Sequence, residues 1–155
     1  MLVDELVHAL RAGTVSHTLL TPSLYRTILS TVDRPSSYLR QVIVAGEPCP
    51  PELVADHYRR MPEVELVNEY GPTEAAVWCS SATLRPDGDV VIGTPVANTQ
   101  LWVLDPDGQV LPPGQFGEVC VAGAGLADGY LDNPELTRAR FVAHPLDPDR
   151  FVYRT

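Results

Sequence analysis

Residues 2–67 switch repeatedly between two hydrophobic periods, and that alternation leaves few folds open. Leu2, Val3, Leu6, Val7 and Leu10 recur at helical spacing, with Arg11 near the end and Gly13 just past it. Val15 to Leu20 reads as a buried strand. Thr21-Pro22-Ser23 then opens a second helix, with proline in its favoured first turn and Leu24, Tyr25, Ile28, Leu29 and Val32 on its apolar side. Leu39 to Ala45 is a second strand, broken by Gly46-Glu47-Pro48. Pro50-Pro51-Glu52 opens a third helix through Leu53, Val54, His57, Tyr58 and Met61, and Val64 to Val67 follows as a third strand. Helices and strands in strict alternation require right-handed crossovers and a parallel sheet.

Beyond Glu74 the pattern changes. Val77 to Leu84 is strand-like, Arg85-Pro86-Asp87-Gly88 is a turn, Val90 to Gly93 is short and extended, and Gly93-Thr94-Pro95 is a break. Thr99 to Leu104 alternates and runs into the hairpin turn Asp105-Pro106-Asp107-Gly108. Pro112-Pro113-Gly114 turns again, into a strand from Glu118 to Ala122. Gly123-Ala124-Gly125 reads as a loop. Asn133-Pro134-Glu135 starts a helix reaching Arg140, which Phe141 and Val142 dock. Asp147-Pro148-Asp149 reads as a loop, and Arg150 to Thr155 begins a strand. The expected class is α/β: a partial parallel sheet with flanking helices in residues 1–76, then a small antiparallel, barrel-like β unit in 77–155.

Charge narrows the function. The net charge is −9, and all 11 basic residues are arginine. No basic run exists to neutralise phosphates, so nucleic-acid binding is disfavoured. Without lysine the chain cannot carry a Gly-Lys-Ser/Thr phosphate loop. Cys49, Cys79 and Cys120 stand far apart in no paired motif, against a disulfide framework or structural zinc. The four histidines show no metal spacing. No apolar run approaches the roughly 20 residues of a membrane span. Asp4 and Glu5 occupy the place of a signal peptide's basic segment. A reducing, cytoplasmic setting is the expectation.

The chemistry concentrates in Asn68-Glu69-Tyr70-Gly71-Pro72-Thr73-Glu74, directly after the third strand. Open α/β sheets bind ligands outside the carboxyl ends of their strands. Gly71 permits a sharp turn or a close approach. Tyr70 can stack on a flat base, the Thr73 hydroxyl can reach a phosphate oxygen, and Glu74 can hold a hard cation such as magnesium. A structural reading competes, in which Thr73 caps a helix and Glu74 sits in its first turn.

This heptad resembles the Tyr-Gly-Pro-Thr-Glu core motif of the AMP-forming adenylate synthetases, and is most similar to adenylation domains of nonribosomal peptide synthetases. Ile43-Val44-Ala45-Gly46-Glu47 resembles the strand and turn that precede that motif. Gly117-Glu118-Val119 through Gly123-Ala124-Gly125 to Ala127-Asp128-Gly129-Tyr130-Leu131 looks like the next motif, with Asn133-Pro134-Glu135-Leu136-Thr137 and Arg140-Phe141 also fitting. Tyr153-Arg154-Thr155 matches the opening of a third. Asp128 stands where the family usually carries arginine. The phosphate loop, the ribose-binding aspartate and the late catalytic lysine of the family have no counterpart, so the resemblance implies a central segment of a larger enzyme, inactive alone.

The resemblance implies roles residue by residue. Gly46 and Tyr70 would sandwich adenine, Asn68 would meet its exocyclic amine, and Gly71 would lie against the nucleotide. Thr73 would bond the α-phosphate and Glu74 would ligate magnesium, as the catalytic pair. Leu19, Ile43, Ala45, Glu69, Val77 and Trp78 would line the amino-acid pocket. The parent would use ATP and magnesium to make an aminoacyl-AMP, then load the phosphopantetheine thiol of a carrier-protein domain. Its partners would be the amino acid, that carrier and the remaining parts of its own domain, with no nucleic acid or membrane. A fragment of an acyl- or aryl-CoA synthetase, and a non-catalytic nucleotide-binding or interaction module, are the rival readings.

Overall fold

A computed structural model describes residues 2–32 and 37–155 of the chain. They form two compact units, Met1–Glu69 with Ser81–Gly93, and Tyr70–Ser80 with Thr94–Thr155. This differs from a division at 76/77. Residues 81–93 go with the first unit because the Leu84 amide donates to the Leu66 carbonyl (2.8 Å) and the Thr83 hydroxyl to Glu65 Oε1 (3.0 Å).

The first unit follows the expected alternation: α1 (Leu2–Ala12), β1 (His17–Leu20), α2 (Pro22–Thr31), β2 (Gln41–Ala45), α3 (Pro51–Arg60), β3 (Glu65–Tyr70) and β4 (Ser80–Thr83). The strands lie in the order β1-β2-β3-β4, and β1, β2 and β3 pair in parallel. Thr21 caps α2, its hydroxyl accepting from the Leu24 amide at 3.4 Å, with Pro22 in the first turn. The core gathers Val7 and Leu10 of α1, Tyr25, Ile28 and Leu29 of α2, and Leu53 and Val54 of α3 against Leu20, Val42, Val44 and Leu66. The side chain of Leu2, expected on the same face of α1, lies outside the described residues.

Inside this core sits a polar pair. The His57 ring is buried, with Nε2 2.8 Å from the Val64 carbonyl and Nδ1 2.5 Å from the Tyr25 hydroxyl. A carbonyl only accepts, so Nε2 carries the proton and the tyrosine donates to Nδ1.

The second unit opens with a single 3₁₀ turn, Thr73–Ala75, followed by β5 (Thr94–Pro95), β6 (Thr99–Leu104), β7 (Glu118–Gly123), α4 (Pro134–Arg140), β8 (Phe141–His144) and β9 (Asp147–Arg154). Its sheet runs β6-β7-β9-β8, antiparallel throughout. The Asp105–Gly108 turn closes as expected, with Asp105 Oδ1 accepting from the amides of Asp107 (2.9 Å) and Gln109 (2.8 Å).

Several local expectations are corrected. Residues 77–79 are not strand, because Ala76 and Val77 take left-handed backbone (φ 56° and 72°) to bring the chain back after the 3₁₀ turn. Residues 90–93 form no strand, whereas Thr94–Pro95 does. Asp147-Pro148-Asp149 begins β9, and the turn falls at 145–146. Pro148 is tolerated there because β9 meets β7 only at Tyr153 and Arg154, so no ladder bond from that side is lost. Phe141 and Val142 open β8 instead of merely docking α4.

Candidate functional site

In the first unit, register sorts the expected pocket residues. Side chains of a strand alternate between faces. Leu20, Val44 and Asn68 stand in one row across β1, β2 and β3, and Val42 beside Leu66 in another. These rows belong to the face that α1, α2 and α3 cover. Leu19, Ile43 and Val67 form a row on the opposite face, and Ala45 beside Glu69 forms the next. Four expected pocket residues, Leu19, Ile43, Ala45 and Glu69, therefore share one face at the carboxyl ends of parallel strands. Leu19 is 49% exposed. Burial pushes the Glu69 carboxyl up.

Asn68 lies on the helix-covered face, buried, with its amide nitrogen 2.9 Å from the Val91 carbonyl. That bond leaves the Asn68 carbonyl oxygen as the group able to accept from an amine. Gly46 follows β2 at φ 81°, and a Cβ placed there would meet nothing nearer than Thr21 Cγ2 at 4.0 Å. Glycine is thus required by the backbone angle, and its face is open. Glu47 ties this loop to the start of α2: its carboxylate accepts from the Ser23 amide (3.0 Å) and hydroxyl (2.8 Å). Those bonds hold its carboxyl below the usual range.

In the second unit the motif closes on itself. The Cys79 amide donates to the Tyr70 carbonyl at 2.9 Å, and the Val77 amide to the Pro72 carbonyl at 3.1 Å. A Cβ on Gly71 would overlap the Val77 carbonyl and lie 2.7 Å from the Cys79 nitrogen. Here the missing side chain makes room for the chain's own return. Pro72, not Thr73, occupies the cap position, and no side chain caps the 3₁₀ turn. The exposed Thr73 hydroxyl is accordingly not used as a cap. Tyr70 packs against Ala75, Cys79 and Val121. Val77 is exposed and Trp78 half-buried.

Glu74 is where separate stretches of the second unit converge. Its Oε1 accepts from the Tyr130 hydroxyl at 2.5 Å, and its own carbonyl accepts from the Ala127 amide at 2.8 Å. The Tyr153 hydroxyl lies 3.3 Å from that of Tyr130. The Tyr130 hydrogen bond holds the Glu74 carboxyl below the usual carboxylate range, with the charge of Arg140 adding to it. The group is therefore ionised at neutral pH. Among the described residues no cluster of three or more His, Cys, Asp or Glu could hold a metal. A lone ionised carboxylate suits magnesium, which commonly takes one or two protein carboxylates and substrate phosphates. Glu74 fits that role.

Tyr130 was missed as a site residue by the sequence reading, although it sits within the second motif. Tyr153, in the third, was missed in the same way. Their motif membership was the available signal.

A chain with these features, a parallel sheet ending in a tight Tyr-Gly-Pro-Thr-Glu turn with an ionised carboxylate, belongs to the AMP-binding enzymes, whose family description its residues 2–131 match. Within that family its similarity is to the adenylation domains of nonribosomal peptide synthetases. It is 42% identical over 152 residues to bacitracin synthase 3 of Bacillus licheniformis, covering 97% of this chain and 2% of that protein. It is 43% identical over 155 residues to novobiocin biosynthesis protein H of Streptomyces niveus, covering 98% of this chain and 25% of that protein. Among solved structures, 99% of the chain superposes on an NRPS protein containing adenylation and PCP domains, over 32% of its length, with a TM-score of 0.87 and 31% identity. A four-domain nonribosomal peptide synthetase bound to AMP and glycine matches 98% of the chain over 11% of its own, with a TM-score of 0.85 and 35% identity. The chain thus spans a quarter or less of the curated relatives just named. No helix among the described residues is long and apolar enough to cross a membrane.

Proposed function

We propose that this chain is a central segment of an ATP-dependent, amino-acid-activating adenylation domain. Its residues 1–69 with 81–93 would belong to the α/β part and 70–80 with 94–155 to the mostly β part of that domain. The observation that carries the reading is Glu74: an ionised carboxylate on a tight turn directly after a parallel strand. In the reaction, a carboxylate oxygen of the amino acid attacks the α-phosphorus of ATP. A P–O bond forms, pyrophosphate leaves, and an aminoacyl-AMP results. A carrier's phosphopantetheine thiol then takes the acyl group and AMP departs. Catalysis of this kind is positioning and charge neutralisation.

In this reading Gly46 and Tyr70 flank the adenine, the Asn68 carbonyl oxygen accepts from its amine, and Gly71 keeps the turn tight beside the nucleotide. The Thr73 hydroxyl donates to an α-phosphate oxygen, and Glu74 holds the magnesium ion. Magnesium, when bound, supplies positive charge against the phosphates. Leu19, Ile43, Ala45, Glu69, Val77 and Trp78 contact the amino-acid side chain. The AMP and glycine bound to the four-domain synthetase, and the PCP domain joined to the adenylation domain of the other structure, support the class of reaction.

Pyrophosphate exchange with a panel of amino acids, run on the complete domain that contains this segment, tests the proposal. Amino-acid-dependent exchange that falls at least about a hundredfold in Thr73→Val or Glu74→Gln is the expected result. Exchange driven by fatty or aryl acids but by no amino acid would replace it with the acyl-CoA synthetase reading. Absence of any acid-dependent exchange would leave a binding module as the better account.

A further inference from the structure

Tyr130 is not among the residues to which the resemblance gives a role, yet its hydroxyl has a definite partner. Its 2.5 Å contact with Glu74 Oε1 falls in the range of charge-assisted O–H···O⁻ bonds. A carboxylate only accepts, so the phenol donates its single proton to Glu74. Tyr153, 3.3 Å away, can then donate to the Tyr130 oxygen or to the Glu74 carboxylate itself. The arrangement is built from three stretches of sequence separated by up to seventy-nine positions, Glu74, Tyr130 and Tyr153.

Each part is itself held. The Tyr130 amide donates to Thr137 Oγ1 at 2.9 Å, and that hydroxyl donates to the Asn133 carbonyl at 2.9 Å, which fastens the tyrosine backbone to α4. The Phe141 ring lies against both phenols, 5.8 Å from Tyr130 and 5.1 Å from Tyr153 between centroids. Phe141 and Tyr153 are also direct partners across β8 and β9. From the other side, the Ala127 amide bonds the Glu74 carbonyl at 2.8 Å. The segment after β7 therefore grips both the backbone and the side chain of Glu74.

A glutamate on a short turn has three side-chain torsions and no intrinsic reason to keep one orientation. Loss of that freedom on binding weakens a ligand contact. A donor on one carboxylate oxygen, with the Tyr153 hydroxyl as a second neighbour, restricts the orientation of the carboxylate before a cation arrives. Resting on the adenylation reading above, we propose that Tyr130 is a positioning residue for Glu74: its hydroxyl on Oε1 limits the orientations of the carboxylate that would hold the cation shared with ATP, while Tyr153 and Phe141 pack around Tyr130.

Tyr130→Phe in the complete domain tests this, since it removes one oxygen and keeps the ring against Phe141. Calorimetric titration of ATP across a magnesium series, without amino acid, should show the magnesium requirement rising about 10- to 100-fold. The amino-acid KM in pyrophosphate exchange should stay at its original value. In a Glu74→Gln background the same change should add nothing further. An unaltered magnesium requirement in Tyr130→Phe overturns the proposal. So does a parallel loss in magnesium response and amino-acid KM with a lowered melting temperature, which marks a purely structural tyrosine. If the wild-type domain binds no nucleotide, the adenylation reading falls first and this one with it. Should Tyr130→Phe fail to fold, a crystal structure of the wild-type domain with ATP and magnesium decides: a Tyr130–Glu74 contact kept in the loaded state supports the assignment, and a broken one refutes it.

Discussion

Replacing Tyr25 with phenylalanine probes the most enclosed polar contact of the first unit. The Tyr25 ring is 1% exposed and His57 is fully buried. The substitution keeps the ring and deletes the hydroxyl that donates to His57 Nδ1 at 2.5 Å. Nε2 is already committed to the Val64 carbonyl, so no tautomer change rescues Nδ1. A buried acceptor left without a partner costs about 1–3 kcal/mol. Taking about 2 kcal/mol as the centre, the folding equilibrium shifts roughly 30-fold. With a urea slope of about 2 kcal/mol/M, the midpoint falls by about 1 M. Urea unfolding followed by far-ultraviolet circular dichroism at pH 7.5, a signal dominated by the three helices of the first unit, reads that shift. A loss below about 0.5 kcal/mol would refute the assigned proton arrangement. The double variant Tyr25→Phe, His57→Phe should be less destabilised than the sum of its parts, because no lone acceptor remains.

The same histidine sets a pH dependence. Burial holds the His57 imidazole below the ordinary histidine value. The neutral ring is then the form the fold accepts, while the unfolded chain takes up a proton below about pH 6.5. Above that pH the two states bind equally and this group contributes no slope. As the pH falls below it, the unfolded state binds more protons and stability is lost, by at most about 1.4 kcal/mol per pH unit. Unfolding measured between pH 7.5 and 5.5 should show that decline in the native sequence and a shallower one in His57→Phe. Equal slopes would refute the buried neutral ring.

Gly71→Ala should destabilise the second unit by about 3 kcal/mol, the upper end for overpacking, because the new Cβ meets backbone atoms that cannot rotate away; differential scanning calorimetry checks it, and a loss under about 1 kcal/mol would mean that the turn relaxes. Burial raises the thiols of Cys49 and Cys79 and pushes Cys120 up to about 11. A disulfide reagent at pH 8 should accordingly label the native chain at least about a hundredfold more slowly than the chain in urea, and rapid native labelling would contradict the buried positions.

The first unit was legible because its signals are local. Helix and strand periods, Pro22 and Pro51 in first turns, and Gly13 and Gly46 as breaks all act within a few residues of themselves. Parallel pairing then follows from the connections. Where the reading failed, a non-local cause decided. Strand β9 extends back through Pro148 because its neighbour across the hairpin is β8, and the composition of Asp147-Pro148-Asp149 alone looks like a turn. Residues 77–79 carry β-branched and aromatic side chains, yet the closed turn before them forces left-handed backbone on Ala76 and Val77. Strand propensity loses there to the hydrogen bonds that join Cys79 to Tyr70 and Val77 to Pro72.

The candidate site divides along the same line. Register in the first unit puts Leu19, Ile43, Ala45 and Glu69 on one face, a placement that alternation along each strand makes possible to anticipate once the motif marks the strand ends. The setting of Glu74 was not available in that way. A carboxylate's orientation is fixed by whatever donors surround it, and here they come from residues fifty-six and seventy-nine positions further on. No local rule links Tyr130 to Glu74. The order of the motifs is carried by the sequence, and their presence together in this chain has a physical reason visible in the second unit: Tyr130 and Tyr153 do not form separate sites, since both supply hydroxyls around the one carboxylate of the first motif. Motifs that co-occur in a chain without sharing a local structural cause are therefore good places to look for a shared side-chain partner.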